Sequence, residues 1–228
     1  MASQPPSPPV PSSSEPAGRS ARAEQGEGAL DTALGRATAL MVAWLALLWV
    51  LVGLDSVLGH RLLRSGGIVA RDPASLPDIL TAPFLHAGFN HVAANSTGLL
   101  GLGLLAALTG VRRFVLVTLV IALVSGFGAW LLGPSNGIGV GASGLVFGYL
   151  GYLLLRGFVD RRPVDVLLTA AVALGWGYLL FAIVAGGPRV SWSAHVFGFL
   201  GGLLAAWVFR RRRPDAGPAY PDTAPPSG

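Results

Sequence analysis

Three short stretches hold the residues of this chain that can do chemistry: His91-Val-Ala-Ala-Asn95, Gly141-Ala-Ser143-Gly144, and Ala194-His195 followed by Gly198 and Gly202. A serine hydroxyl becomes a nucleophile when an imidazole within hydrogen-bond reach takes its proton. Ser143 and His195 therefore read as a nucleophile and its base, provided the fold brings them together. Three imidazoles, His86, His91 and His195, would instead suit a zinc ion. Each piece also has a plainer reading. A serine between small residues is commonly a packing residue, and a histidine at a helix start is commonly an interfacial side chain. Asn95 can be an interhelical hydrogen bond worth about 1 kcal/mol, and the glycine-rich stretch 133–144 can be a flexible loop. The chain has no cysteine, which removes thiol nucleophiles, disulfides and zinc–cysteine sites.

Membrane helices must do the positioning. The 228 residues are 52% hydrophobic and 12% charged, with a mean hydropathy of +0.61. Soluble chains carry roughly 25% charged residues, so neither a disordered chain nor an ordinary soluble domain fits. Six apolar runs stand out, at 37–58, 91–108, 114–132, 141–155, 164–185 and 194–209. Crossing the hydrocarbon takes about 20 residues. The first, third and fifth runs meet that length, while the others are short or begin with polar residues. Those polar starts are expected to face a protein interior rather than lipid. Residues 1–36 read as a disordered tail, Pro/Ser-rich and then polar, and not as a signal peptide. A transit peptide is disfavoured by Glu15, Glu24, Glu27 and Asp31. Residues 37–210 form the membrane domain, and 211–228 a basic and then Pro-rich tail.

All 16 basic residues are arginine. Twelve (Arg19, Arg22, Arg36, Arg112, Arg113, Arg156, Arg161, Arg162 and Arg210 to Arg213) fall on one side of the six runs, and four (Arg61, Arg64, Arg71 and Arg189) on the other. The positive-inside rule then puts both termini in the cytoplasm. Basic charge spread over helix ends also argues against nucleic acid as a partner. With this topology the second, fourth and sixth helices all start on the outer side, so His91 and Asn95, Ser143 and His195 converge there. The spacings Gly144/Gly148 and Gly198/Gly202 let the fourth and sixth helices approach closely. Independent accidents do not account for that convergence.

The order and spacing of HxxxN, GxSG and AHxxGxxxG on the second, fourth and sixth of six helices resemble the rhomboid intramembrane serine proteases over 37–209. His86, five residues before His91, fits the same pattern, as does the run from Gly151 through Tyr152 and Arg156 to Gly157. The resemblance implies an all-α, polytopic six-helix bundle with a Ser143–His195 dyad. Asn95, His91 and the backbone N–H groups at the helix start would form an oxyanion hole. His86, Gly141, Gly144, Phe147, Gly198 and Gly202 would support it, with Phe147 standing where many relatives have a tyrosine against the imidazole. No acidic residue is placed to complete a triad: Asp160 and Asp165 belong to the opposite side, and no motif links Asp55, Asp72 or Asp78 to His195. The implied activity is endoproteolysis of single-pass transmembrane proteins near the outer face, with no metal and no cofactor. The bilayer and transmembrane substrates are the implied partners, and an arginine-, alanine- and glycine-rich composition suggests a bacterial cell membrane. Other readings are a catalytically silent relative that binds transmembrane helices, and a small transporter or metal site. One departure stands out: where rhomboids often carry Trp-Arg in the first loop, this chain has Leu76-Pro77-Asp78-Ile79, which bears on loop placement and substrate access. Oligomeric state has no signature in the sequence.

Overall fold

The computed structural model describes residues 16–184 and 191–211. The outermost tail residues (1–15 and 212–228), Arg189 and the last residue of the fifth run lie outside the described residues. The first apolar run belongs to α1 (Pro16–Val57), so the stretch expected as an unstructured tail up to residue 36 is helical from Pro16. The cause is local. Residues 17–36 hold five alanines and three arginines, good helix formers that outweigh four glycines, and extending an existing helix costs far less than nucleating one. Residues 28–36 remain largely exposed, so this extension buries little.

A long loop follows, with α2 (Arg61–Gly66), β1 (Ile68–Val69) and 3-10 turns at Pro73–Ile79 and Ala82–Phe84. The second run is α3 (Phe89–Gly98), a π turn (Leu99–Gly103) and α4 (Leu104–Ala107). Then come α5 (Val111–Leu132), β2 (Ile138–Gly139), α6 (Ser143–Asp160), α7 (Pro163–Trp176), α8 (Leu179–Val184) and α9 (Trp192–Val208). The fifth run is thus two helices. Gly175 and Gly177 weaken the helix there, and the chain tightens to i→i+3 bonds from Leu180 to Gly177 and Phe181 to Tyr178.

Each of the six runs is helical. Among the described residues, Gly28–Val57 and Val111–Leu132 are long and apolar enough to cross a bilayer by themselves, whereas α7 and α9 are apolar but shorter. The difference follows from position. Every residue of α6 from Gly144 to Leu153 is buried, so this helix meets protein on all sides and can carry glycine, tyrosine and arginine. By contrast α1, α5 and α7 expose Val50, Leu54, Val115, Leu119, Leu167 and Leu174, an apolar belt that suits hydrocarbon and not water.

Glycine sets the helix spacing around α6. A Cβ at Gly198 would collide with the Gly144 carbonyl, and one at Gly202 with the Gly148 carbonyl, so α6 and α9 touch backbone to backbone. At the end of α6 remote from Ser143, buried charges join the contacts beside Gly157. Arg156 Nη2 lies 2.7 Å from Asp165 Oδ1 of α7, and Asp160 Oδ2 lies 3.5 Å from Arg156 and 3.6 Å from Arg113 of α5. Asp160 Oδ1 also accepts the Arg211 backbone N–H, just past α9.

The loop with the altered Trp-Arg position is nonetheless tied down. Arg71 donates to the Leu131 and Gly133 carbonyls, and the Trp130 indole donates to the Asp72 carbonyl. Ile79 packs so closely on α5 that a Cβ at Gly126 would strike it. β1 pairs antiparallel with β2, Ile68 opposite Gly139, which fastens the loop to the segment leading into α6. Asp55, at the end of α1, accepts the Leu62 and Leu63 N–H groups that open α2.

Candidate active site

Ser143 is the first residue of α6, and the chain reaches it through an unusual backbone. Gly141 has φ +114°, a region that side chains rarely adopt. Space forbids a side chain there as well: a Cβ would lie 2.6 Å from His91 Cε1, 2.8 Å from His91 Nε2 and 3.3 Å from Asn95 Nδ2. The same numbers fix where His91 and Asn95 sit, both against the turn that presents Ser143. The Gly141 N–H donates to the Ala82 carbonyl, and the Ala142 N–H to His86 Nε2 at 3.3 Å. The first loop therefore holds both residues that precede the serine.

His195 arrives from α9. Ser191 caps that helix by accepting the Ala194 N–H, and Ser125 of α5 donates to the Ala194 carbonyl at 2.9 Å. With α6 and α9 drawn together by glycine, His195 Nε2 comes to 3.0 Å from Ser143 Oγ. The Phe147 ring, one turn past the serine, stacks on the imidazole with centroids 4.1 Å apart and planes 23° apart. Hydroxyl and imidazole are in hydrogen-bond contact.

The remaining polar groups have readable proton positions. His91 Nδ1 accepts the Ala87 N–H at 3.4 Å, which leaves its proton on Nε2, the atom facing Gly141. Asn95 is 6% exposed, and its Nδ2 has no hydrogen-bond partner among the described residues. Two donors thus face the turn before Ser143, and the amide donor is unused. His195 Nδ1 is buried with no partner among the described residues, so no carboxylate orients it there. Burial, and next the neighbouring His91, lower the His86 imidazole to about 4 against the opposing Phe84 carbonyl. It is neutral at pH 7, as its role as acceptor from Ala142 requires.

The three imidazoles do not share a metal position. His86 faces Ala142, His91 accepts from Ala87, His195 faces Ser143, and no three His, Asp or Glu side chains converge among the described residues. Beside Ser143 a narrow cleft of about 40 Å³ is walled by Ile68, Ala82, Ser125, Ala129, Val140 and Ser191. Of the residues singled out from sequence, Ser143, His195, Phe147, His91, Asn95, His86, Gly141, Gly144 and Gly198 gather at this end, and Gly202 holds the seam one turn deeper. Ser125 and Ser191 were not singled out. Ser125 is one of two hydroxyls, with Thr118, within the apolar run 114–132.

A rhomboid-domain family profile matches residues 73–212. An uncharacterized protein of Mycobacterium tuberculosis is 35% identical over 180 residues, which cover 74% of this chain and 73% of that protein. The chain belongs to the rhomboid family. Its likeness extends to the putative rhomboid protease YdcA of Bacillus subtilis, 28% identical over 186 residues, 74% of this chain and 85% of that protein. RHOMBOID-like protein 1 of Arabidopsis thaliana is 36% identical over 142 residues, 58% of this chain and 34% of the plant protein. As a rhomboid the chain is a membrane protein.

Proposed function

We propose that this rhomboid is an intramembrane serine endopeptidase that works through a Ser143–His195 dyad. The observation that carries the reading is the 3.0 Å contact between Ser143 Oγ and His195 Nε2. His195 takes the hydroxyl proton as Oγ attacks a peptide carbonyl, then hands that proton to the leaving amine. A water activated by the same imidazole hydrolyses the acyl-enzyme. Negative charge on the carbonyl oxygen meets the N–H groups at the start of α6, where the helix dipole is positive, together with His91 Nε2 and Asn95 Nδ2. Such a donor contributes about 3–4 kcal/mol to the transition state. Phe147 keeps the imidazole plane in place by stacking.

The substrates are single-pass transmembrane proteins cut near the outer face. Six membrane crossings with both termini in the cytoplasm put Ser143 at that face. The arginine asymmetry supports this topology, as does the apolar belt. The lipid bilayer of a bacterial cell is the setting. A silent, helix-binding relative is the second reading, and the intact Ser–His contact weighs against it.

The test is turnover of a single-pass substrate, together with labelling by a fluorophosphonate, for the purified chain and its Ser143→Ala variant. Cleavage and labelling that disappear together in Ser143→Ala support the protease. A folded chain that binds transmembrane helices but neither cleaves nor takes the probe overturns it in favour of the silent relative.

A further inference from the structure

A second cavity lies behind the cleft. It is a groove of about 260 Å³ between α1, the 3-10 turns and α5, lined by Leu40, Trp44, Leu80, Phe84, Val115 and Leu119. Leu80, Val115 and Leu119 are 50%, 53% and 44% exposed, so the groove opens onto the same belt of α1 and α5 that faces lipid. Aromatic rings close its inner end: Trp44 stacks on Phe84 and meets Phe114 edge to face, each at 5.8 Å. Thr118 is the polar side chain with an oxygen in the lining, and its hydroxyl is already engaged by the Phe114 carbonyl at 2.8 Å and the Tyr149 hydroxyl at 2.7 Å. The Trp44 indole nitrogen is buried.

We infer that this groove is a binding site for one acyl tail of a bilayer lipid. An unwound peptide or a headgroup placed there would leave its polar groups unpaired in an apolar slot. A hydrocarbon tail has nothing to satisfy, and it is the medium at the mouth of the groove. Pro83, Ala122 and Leu145 line both this groove and the cleft beside Ser143. Pro83 follows Ala82, whose carbonyl holds the Gly141 N–H, and Leu145 lies two residues past the serine. A tail in the groove therefore backs the wall against which the turn into α6 is built. The acyl-chain site rests on the membrane setting alone, and only its effect on the cleft rests on the proposed protease.

The experiment uses the full chain in phosphatidylcholine vesicles doped with a phosphatidylcholine that carries a diazirine in one acyl chain. After illumination, the labelled residues are mapped by mass spectrometry. Leu167 and Leu174 of α7, 71% and 89% exposed, report ordinary lipid contact. The groove residues Leu80, Phe84, Val115 and Leu119 are expected to take several-fold more label than these two. Leu119→Trp, which fills the groove, removes the excess at Leu80 and Phe84 and leaves α7 unchanged. Val115→Phe makes the same test with a smaller insertion should the tryptophan variant misfold. Labelling no greater than on α7, or an excess that neither variant reduces, overturns the inference. The readout needs no catalysis, so an inactive chain that still labels in the groove would sink the protease and leave the lipid site standing.

Discussion

In the proposed dyad, proton traffic at Ser143 runs between two atoms 3.0 Å apart, so the two partners should fail alike and the donors beside them only in part. Ser143→Ala and His195→Ala are each expected to lower kcat by on the order of 10⁵-fold or more, because removing either member disables the unit. Asn95→Ala is expected to lower kcat by roughly 10²-fold with KM little changed, because its amide acts on charge that develops only in the transition state. Steady-state kinetics on one substrate separates these outcomes, and an unimpaired Asn95→Ala would remove that residue from the oxyanion site. His86 makes a different prediction. Its folded-state value of about 4 lies below the ordinary value of 6.5, so the neutral form is the one the fold favours. The contribution of His86 is therefore whole above about pH 6.5 and is lost as pH falls toward about 4. Protonation there costs the bond from Ala142 and loosens the approach to Ser143. Thermal unfolding measured from pH 7.5 to 4 should show this loss, and His86→Gln, which keeps an acceptor but does not titrate, should flatten part of the decline.

Helices α6 and α9 carry the two side chains of the proposed dyad, and backbone contact through glycine is what sets their separation. A methyl at Gly202 would meet the Gly148 carbonyl and the Tyr152 backbone nitrogen, which cannot swing away as a side chain can. Gly202→Ala is therefore expected to cost about 1–3 kcal/mol of stability and, in the protein that remains folded, to lower kcat by spreading Ser143 from His195. Thermal unfolding beside kinetics on the folded fraction checks both effects. Ser125→Ala tests the same geometry from α5, since it removes the hydroxyl that holds the Ala194 carbonyl beside His195. A fall in kcat with KM unchanged is expected. Much of this was legible in the sequence because it is written at helical spacing: Ser143 with Phe147, and His195 with Gly198 and Gly202, are near neighbours along a helix. What escaped is what joins distant parts of the chain. The Ser125–Ala194 bond spans 69 residues and the Trp130–Asp72 bond 58, and neither leaves a local pattern. The helix from Pro16 escaped for the opposite reason: a polar segment carries no apolar periodicity, yet it extends readily from a helix beside it.

Across the whole molecule the two ends of α6 are built on different physics. One end is an open cleft with an unused amide donor, and the other is a buried set of two arginines and two aspartates joining α5, α6 and α7, with the backbone after α9 as a further partner. The Arg156 and Asp165 side chains are only 9% and 3% exposed, so each is tolerable because the other is present. Removing one leaves the other charged and unpaired, which costs roughly 3–5 kcal/mol, whereas replacing both by apolar residues of similar size is often close to neutral. Asp165→Leu alone should therefore lower the unfolding temperature sharply. Adding Arg156→Leu should restore part of the loss, although Asp160 then loses its 3.5 Å neighbour and keeps the recovery incomplete. The Ser143 end gives the control. Because α6 is held at Ser143 by glycine contacts and the loop and not by charge, folded Arg156→Leu/Asp165→Leu protein should react with a fluorophosphonate at close to the unmodified rate. A large loss of labelling in protein that remains folded would mean that the charged end sets the Ser143–His195 distance, contrary to the division of labour argued here.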